Sequence, residues 1–124
     1  MLILIVLAWN LEAAISFLVS PAPYLAAFEL TGLPGEIAVA GIGVLFLMWQ
    51  VPYVFALLHP VRFRISLWQA LIMQAIGVTG ETILLFTIPG EYQLLRGSII
   101  RFTIFDGAGI LFLLGAVWLI RVSN

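Results

Sequence analysis

Apolar residues run along this chain in long unbroken blocks, and each block stops at proline, glycine or a short polar tail. The first block covers about 2–19 and stops at Ser20-Pro21-Ala22-Pro23. The second, about 36–58, ends at His59-Pro60, and the third, about 66–88, ends at Pro89-Gly90. The fourth, about 97–120, gives way to the polar tail Arg121-Val122-Ser123-Asn124. A helix rises about 1.5 Å per residue, so about 20 apolar residues cross the ~30 Å hydrocarbon layer. Every block falls within or close to the range of about 17–25 residues that spans the layer. The pattern predicts an all-α, integral membrane four-helix bundle, with one four-span domain over residues 1–124. The first block has no positively charged start and reads as a retained span rather than a cleaved leader. Pro52 lies inside the second block and should kink it.

The connection between the first two spans has its own pattern. Pro23–Leu30 predicts two turns of amphipathic helix, with Tyr24, Leu25 and Phe28 on one side, lying along the membrane interface. Gly32 then offers a helix stop, and Leu33-Pro34-Gly35 leads into the second span.

Composition supports the bilayer as solvent. Of the residues, 64% are hydrophobic and 9% charged, against about 45–50% and about 25% in soluble domains. Net charge is −1, which leaves no electrostatic footprint for nucleic acid. The absence of cysteine excludes disulfides, thiol redox chemistry and thiolate metal sites. His59, the lone histidine, cannot build a multi-histidine metal site and reads as an interfacial residue. No phosphate loop, dinucleotide fingerprint or nucleophile elbow is present, so no cofactor is indicated. Arg62, Arg64 and Arg121 fall on one side of the membrane. The other side has Arg96 with Glu29, Glu36 and Glu91. The positive-inside rule then places both termini in the cytoplasm of a bacterial inner membrane. Trp49, Trp68, Trp118 and Tyr53 read as an aromatic belt towards that face, with Tyr24 and Tyr92 at the opposite one.

Charges inside the spans carry the candidate chemistry. Glu12, Glu81, Arg101 and Asp106 each cost roughly 2.5–3.5 kcal/mol at a helix centre, on the order of 10 kcal/mol together if exposed to lipid. Glu12 lies eight residues before Ser20 and Glu81 eight before Pro89, each roughly 12 Å below the same boundary. Arg101 and Asp106 are five and ten residues beyond Arg96, so roughly 7 and 15 Å deep. These depths predict a shared buried polar layer in one half of the bilayer. Three carboxylates against one arginine leave a surplus of negative charge, which calls for a proton or a cationic group. On the third span Ala70, Gln74, Gly77 and Glu81 form one stripe of small and polar residues, the kind that faces other helices. On the fourth, Gly97, Arg101, Ala108, Phe112 and Gly115 share a face. Asp106 lies about 140° round from Arg101 and should meet Thr103 or a neighbouring helix. Arg101 is expected to compensate Glu81 or an anionic group, while a protonated Glu12 or Asp106 would donate a hydrogen bond. Gln50 shares a face with Gly43 and lies deeper than this layer.

One echo is visible: GIGVLFLM (Gly41–Met48) resembles GAGILFLL (Gly107–Leu114). A two-plus-two parallel repeat and chance recurrence of common membrane residues both account for it. In topology the chain resembles the DoxX-like group of small bacterial membrane proteins. The shared points are four spans, the short segment after the first, Gly32-Leu33-Pro34 before a glycine-rich second span, and the basic turn at Arg62 and Arg64. The arginine–glycine pattern expected in that family's first helix is absent here, where Asn10 and Glu12 stand instead. The resemblance implies a membrane component associated with redox or quinone-linked systems and assigns no residue a role.

Three functions fit. The leading one is binding of a small or lipophilic ligand at Glu12, Glu81, Arg101, Asp106 and Gln74. The second is a structural accessory subunit of a larger energy-converting membrane complex. The third is a membrane isomerase or proton-linked transporter using paired carboxylates. The expected partners are the lipid bilayer, a lipophilic small molecule, and other membrane proteins or further copies of the chain.

Overall fold

Four long helices form because apolar blocks of this length satisfy every backbone polar group internally, as a bilayer requires. In the computed structural model, which describes residues 1–122, they are α1 (Leu2–Val19), α2 (Gly32–Leu58), α3 (Arg64–Thr87) and α4 (Gln93–Val122). All four are long and apolar enough to cross a membrane. The end of the polar tail, residues 123–124, lies outside the described residues. α1 packs chiefly on α2 and α4, and α3 on α2 and α4, so chain order is also the order around the bundle. One end holds the N-terminus, the α2–α3 turn and the end of α4. The other holds the 20–31 connection and the α3–α4 connection, and is called the lid end below.

Two helices begin about one turn earlier than expected. α2 begins at Gly32 rather than near 36. Gly32 adopts φ +64, a left-handed value glycine tolerates, and Pro34 sits in the first turn, where its missing N–H is harmless. α2 continues through Pro52 to Leu58. α4 begins at Gln93, which brings Arg96 into the helix. From there Arg96 Nη1 donates to the carbonyls of Leu85 and Ile88, at 2.9 and 2.8 Å, and so caps the end of α3. At the opposite end the Arg62 N–H donates to His59 Nδ1 at 3.2 Å, closing the α2–α3 turn.

The connection after α1 is not the continuous interfacial helix its pattern suggested. It forms two 3-10 turns, Ala22–Tyr24 and Ala26–Phe28, and ends at Glu29 with φ 53, in the left-handed region. Its aromatic residues turn into the bundle. Tyr24 and Phe28 pack edge-on against Phe17 of α1, with centroids 4.8 and 5.8 Å apart. The segment is latched to α4 in three places. Glu29 Oε2 accepts the Leu95 N–H at 3.2 Å, Ser98 Oγ donates to the Ala27 carbonyl at 2.5 Å, and Phe28 stacks on Phe102 at 6.0 Å. The side that carries Tyr24, Leu25 and Phe28 is the one turned inward, as the pattern predicts, and interior aromatic partners take it up.

Helix pairs approach most closely at glycine. A Cβ on Gly43 would lie 2.8 Å from the Ala14 carbonyl oxygen and 2.9 Å from the Leu18 nitrogen, so α1 and α2 meet backbone to backbone there. A Cβ on Gly109 would collide with the Gln74 side chain, and one on Gly77 with the Asp106 carboxylate. The two echo segments therefore match in packing as well as sequence. Gly43 and Gly109 are close-approach positions, whereas Gly41 and Gly107 have nothing within 4 Å. The half of the bundle nearest the N-terminus is filled by an aliphatic cluster built around Ile3, Val6, Leu7, Ala56, Leu67, Ala70, Leu71, Leu113 and Ala116.

Candidate functional site

Above that aliphatic cluster lies a level where each helix contributes a polar side chain. Tyr53 of α2 is 1% exposed, and a buried phenol needs partners. Its hydroxyl donates to Gln74 Oε1 of α3, with the Ala70 carbonyl 3.3 Å away as a second acceptor. Gln74 Nε2 in turn donates to Asp106 Oδ1 of α4 at 2.9 Å. Asn10 of α1 lines the cavity at the same level. The result is a directed chain of hydrogen bonds, Tyr53, Gln74, Asp106, that joins α2, α3 and α4 and ends on a carboxylate. Gly77 and Gly109 make it possible, since any side chain there would occupy the space of Asp106 or Gln74.

This chain of bonds floors a cavity of about 600 Å³ that fills the lid half of the bundle. A volume of that order suits a small-molecule ligand. Its walls are aromatic: Trp9 and Phe17 from α1, Phe46 and Trp49 from α2, and Phe102 and Phe105 from α4. Tyr24, Ala27 and Phe28 of the latched segment close the top. Phe17 sits at the centre of the ring cluster, with Phe46 at 6.0 Å and Phe102 at 6.2 Å. Gln50 joins the floor. It is 4% exposed, its Nε2 donates to the Phe46 carbonyl at 2.8 Å, and its Oε1 is buried with no partner. Buried polar atoms are rarely left that way, because an unpaired one loses its hydration and gains nothing.

The charged residues take different places from the single buried layer expected of them. Among the described residues the buried polar side chains are Gln50, Gln74 and Ser98, and no charged residue is buried. Glu12 and Arg101 are exposed and stand at the cavity's edge, lining it from α1 and α4. Arg101 donates to Ser98 Oγ at 2.9 Å and does not pair with Glu81. Glu81 is half-buried at the α3–α4 seam, near Thr103 and Asp106. One of its oxygens, Oε2, is buried without a partner. Thr103 does not hold Asp106: its hydroxyl donates to the Ile99 carbonyl at 2.9 Å, and Asp106 meets α3 instead. The inward face of α4 runs through Ile99, Asp106, Gly109, Leu113 and Ala116, so Arg101 lies on its flank. Matching depth does not bring charges together when helix rotation points them apart.

The α3 stripe does point inward. Ala70 and Gln74 are buried, and Gly77 receives Asp106. The sequence reading did not find Tyr53, assigned to the interfacial belt, or the part played by Asn10. A usable signal was present in the spacing, since Gly43, Gln50 and Tyr53 recur at seven and three residues on one helical face. Within the described residues no group of three or more histidine or acidic side chains is arranged to hold a metal ion. Comparison with protein-family models, with curated proteins and with solved structures finds no match for this chain.

Proposed function

We propose that this chain is a bacterial inner-membrane protein, with both termini in the cytoplasm, whose lid-half cavity binds an amphiphilic small molecule. The observation that carries the reading is an aromatic-walled space of about 600 Å³ with the polar side chains of Asn10, Gln50, Tyr53, Gln74 and Asp106 gathered along one side of it. Apolar walls with a few convergent polar groups are the usual make-up of a ligand site. The hydrogen-bond chain from Tyr53 to Asp106 holds that floor rigid, so a ligand would meet preset groups rather than ordering them. Arg62, Arg64 and Arg121 at the N-terminal end support the orientation. The DoxX-like resemblance supports the setting, and names no ligand.

The test is to fill the space. Ala13 lines the cavity from α1, and Ala13→Phe would place a ring inside it. Protein purified in mild detergent and extracted with organic solvent should release a lipophilic compound detectable by mass spectrometry. The Ala13→Phe protein, folded by circular dichroism, should release at least about tenfold less, a factor worth roughly 1.4 kcal/mol. Equal recovery from both proteins would remove the cavity as the binding site.

A further inference from the structure

The end of the bundle away from the lid carries charge of one sign. Arg62, Arg64 and Arg121 lie there with His59, and no acidic side chain joins them. Glu29, Glu36 and Glu91 stand at the lid end, and Glu12, Glu81 and Asp106 lie in the lid half. The three arginines are used differently. Arg62 lies over the ring of Phe63, 5.5 Å from its centroid, and its backbone N–H closes the α2–α3 turn. Arg64 and Arg121 instead line one recess of about 490 Å³.

Antiparallel packing brings these two together. Arg64 is the first residue of α3 and Arg121 lies in the last turn of α4, so neighbouring helices of opposite direction put both at one level. One turn deeper on each helix, an apolar residue lines the same recess. Trp68 stands four residues after Arg64, and Val117 four before Arg121. Val61 of the α2–α3 turn and Ile120 border it too. Arg64, Trp68 and Arg121 are exposed, so the recess opens at the surface of the bundle. It has a cationic rim at the helix ends and an apolar wall beneath, at the level where a span leaves the hydrocarbon.

Arginines that only flank a span extend singly into water. These two border one space, and no carboxylate in this half answers them. Guanidinium groups hold phosphate oxygens in a two-pronged grip, and basic pockets between spans take up anionic lipid head groups. A free phosphate would use the rim and leave Trp68 and Val117 unmatched. We infer that this recess seats an anionic phospholipid, with its phosphate between Arg64 and Arg121 and the start of its acyl chains against Trp68 and Val117. The site is separate from the lid-half cavity and does not depend on what fills it.

The full chain in mild detergent is mixed with equal amounts of dioleoyl phosphatidylglycerol and dioleoyl phosphatidylcholine, and the lipids it retains are counted by native mass spectrometry. Phosphatidylglycerol should be retained about tenfold over phosphatidylcholine. Arg64→Gln and Arg121→Gln, each folded by circular dichroism, should each lower that preference about fivefold. Val61→Trp fills the recess with both arginines in place and should lower it as far, which keeps the test open should either arginine variant fold poorly. Arg62→Gln removes the same charge from the same end but outside the recess, and should change the preference less than about twofold. Equal retention of the two lipids, an Arg62→Gln loss as large as those of the recess variants, or full preference in Val61→Trp would each overturn the site. Excess glycerol phosphate should leave phosphatidylglycerol bound. Its displacement would mark a site for phosphate alone and overturn the lipid assignment.

Discussion

The two halves of this bundle use the same four helices and are packed in opposite ways. Near the N-terminus, small and branched aliphatics interlock. Val6, Ala56, Ala70 and Leu113 are all but fully buried at its centre, and the recess of about 490 Å³ in this half lies at its end, between Arg64, Trp68, Val117 and Arg121. Towards the lid, flat rings from α1, α2, α4 and the 20–31 segment meet mostly edge to face at 4.8–6.2 Å and enclose a space. The polar level of Asn10, Tyr53, Gln74 and Asp106 marks the boundary between the two. One half supplies stability, and the other gives some of it up for room.

That contrast can be broken by truncation on each side. Leu113→Ala opens a void in the solid half and should cost about 2–5 kcal/mol. Phe46→Ala removes more atoms but borders space that is already open, and should cost less than about 2 kcal/mol. Thermal unfolding in one detergent compares them, and equal losses would mean the lid half is as well packed as the other. The boundary is sharpened by two glycines on α4. Gly109→Ala drives a methyl into Gln74 and should cost about 1–3 kcal/mol while loosening the Tyr53–Gln74–Asp106 bonds. Gly107→Ala meets nothing and should be neutral or stabilise by up to about 1 kcal/mol. Two similar melting temperatures would contradict the close seam. The smallest effect is expected at the latch. Glu29→Ala removes a carboxylate from the start of α4, worth about 0.3–1 kcal/mol. Its clearer readout is faster amide hydrogen exchange at Leu95 and across the 20–31 segment, with the solid half unchanged.

Arg96 and Arg101 show how far side-chain chemistry could be read ahead of the fold. Both were visible as cations near one membrane face. Arg96 caps α3, and Arg101 turns to Ser98. Neither use follows from depth, because an arginine's reach lets it choose among several acceptors at one level. The α3 stripe was more legible, since small and polar residues at helical spacing have few reasons to face lipid. Tyr53 was not legible by type, because a tyrosine near a membrane boundary serves an interfacial belt and a buried hydrogen bond equally well.

Length, apolar content and punctuation by proline and glycine determined, within the sequence alone, that four helices form and about where each begins and ends. They do so because a bilayer leaves the backbone no other way to satisfy its hydrogen bonds. How far each helix turns about its axis was decided only by tertiary packing. In helices apolar on nearly every face, periodicity carries little rotational information, and close glycine contacts set the facing instead. That rotation turned Asp106 towards Gln74, left Glu12 and Arg101 at the edge, and made a hollow behind the aromatic rings.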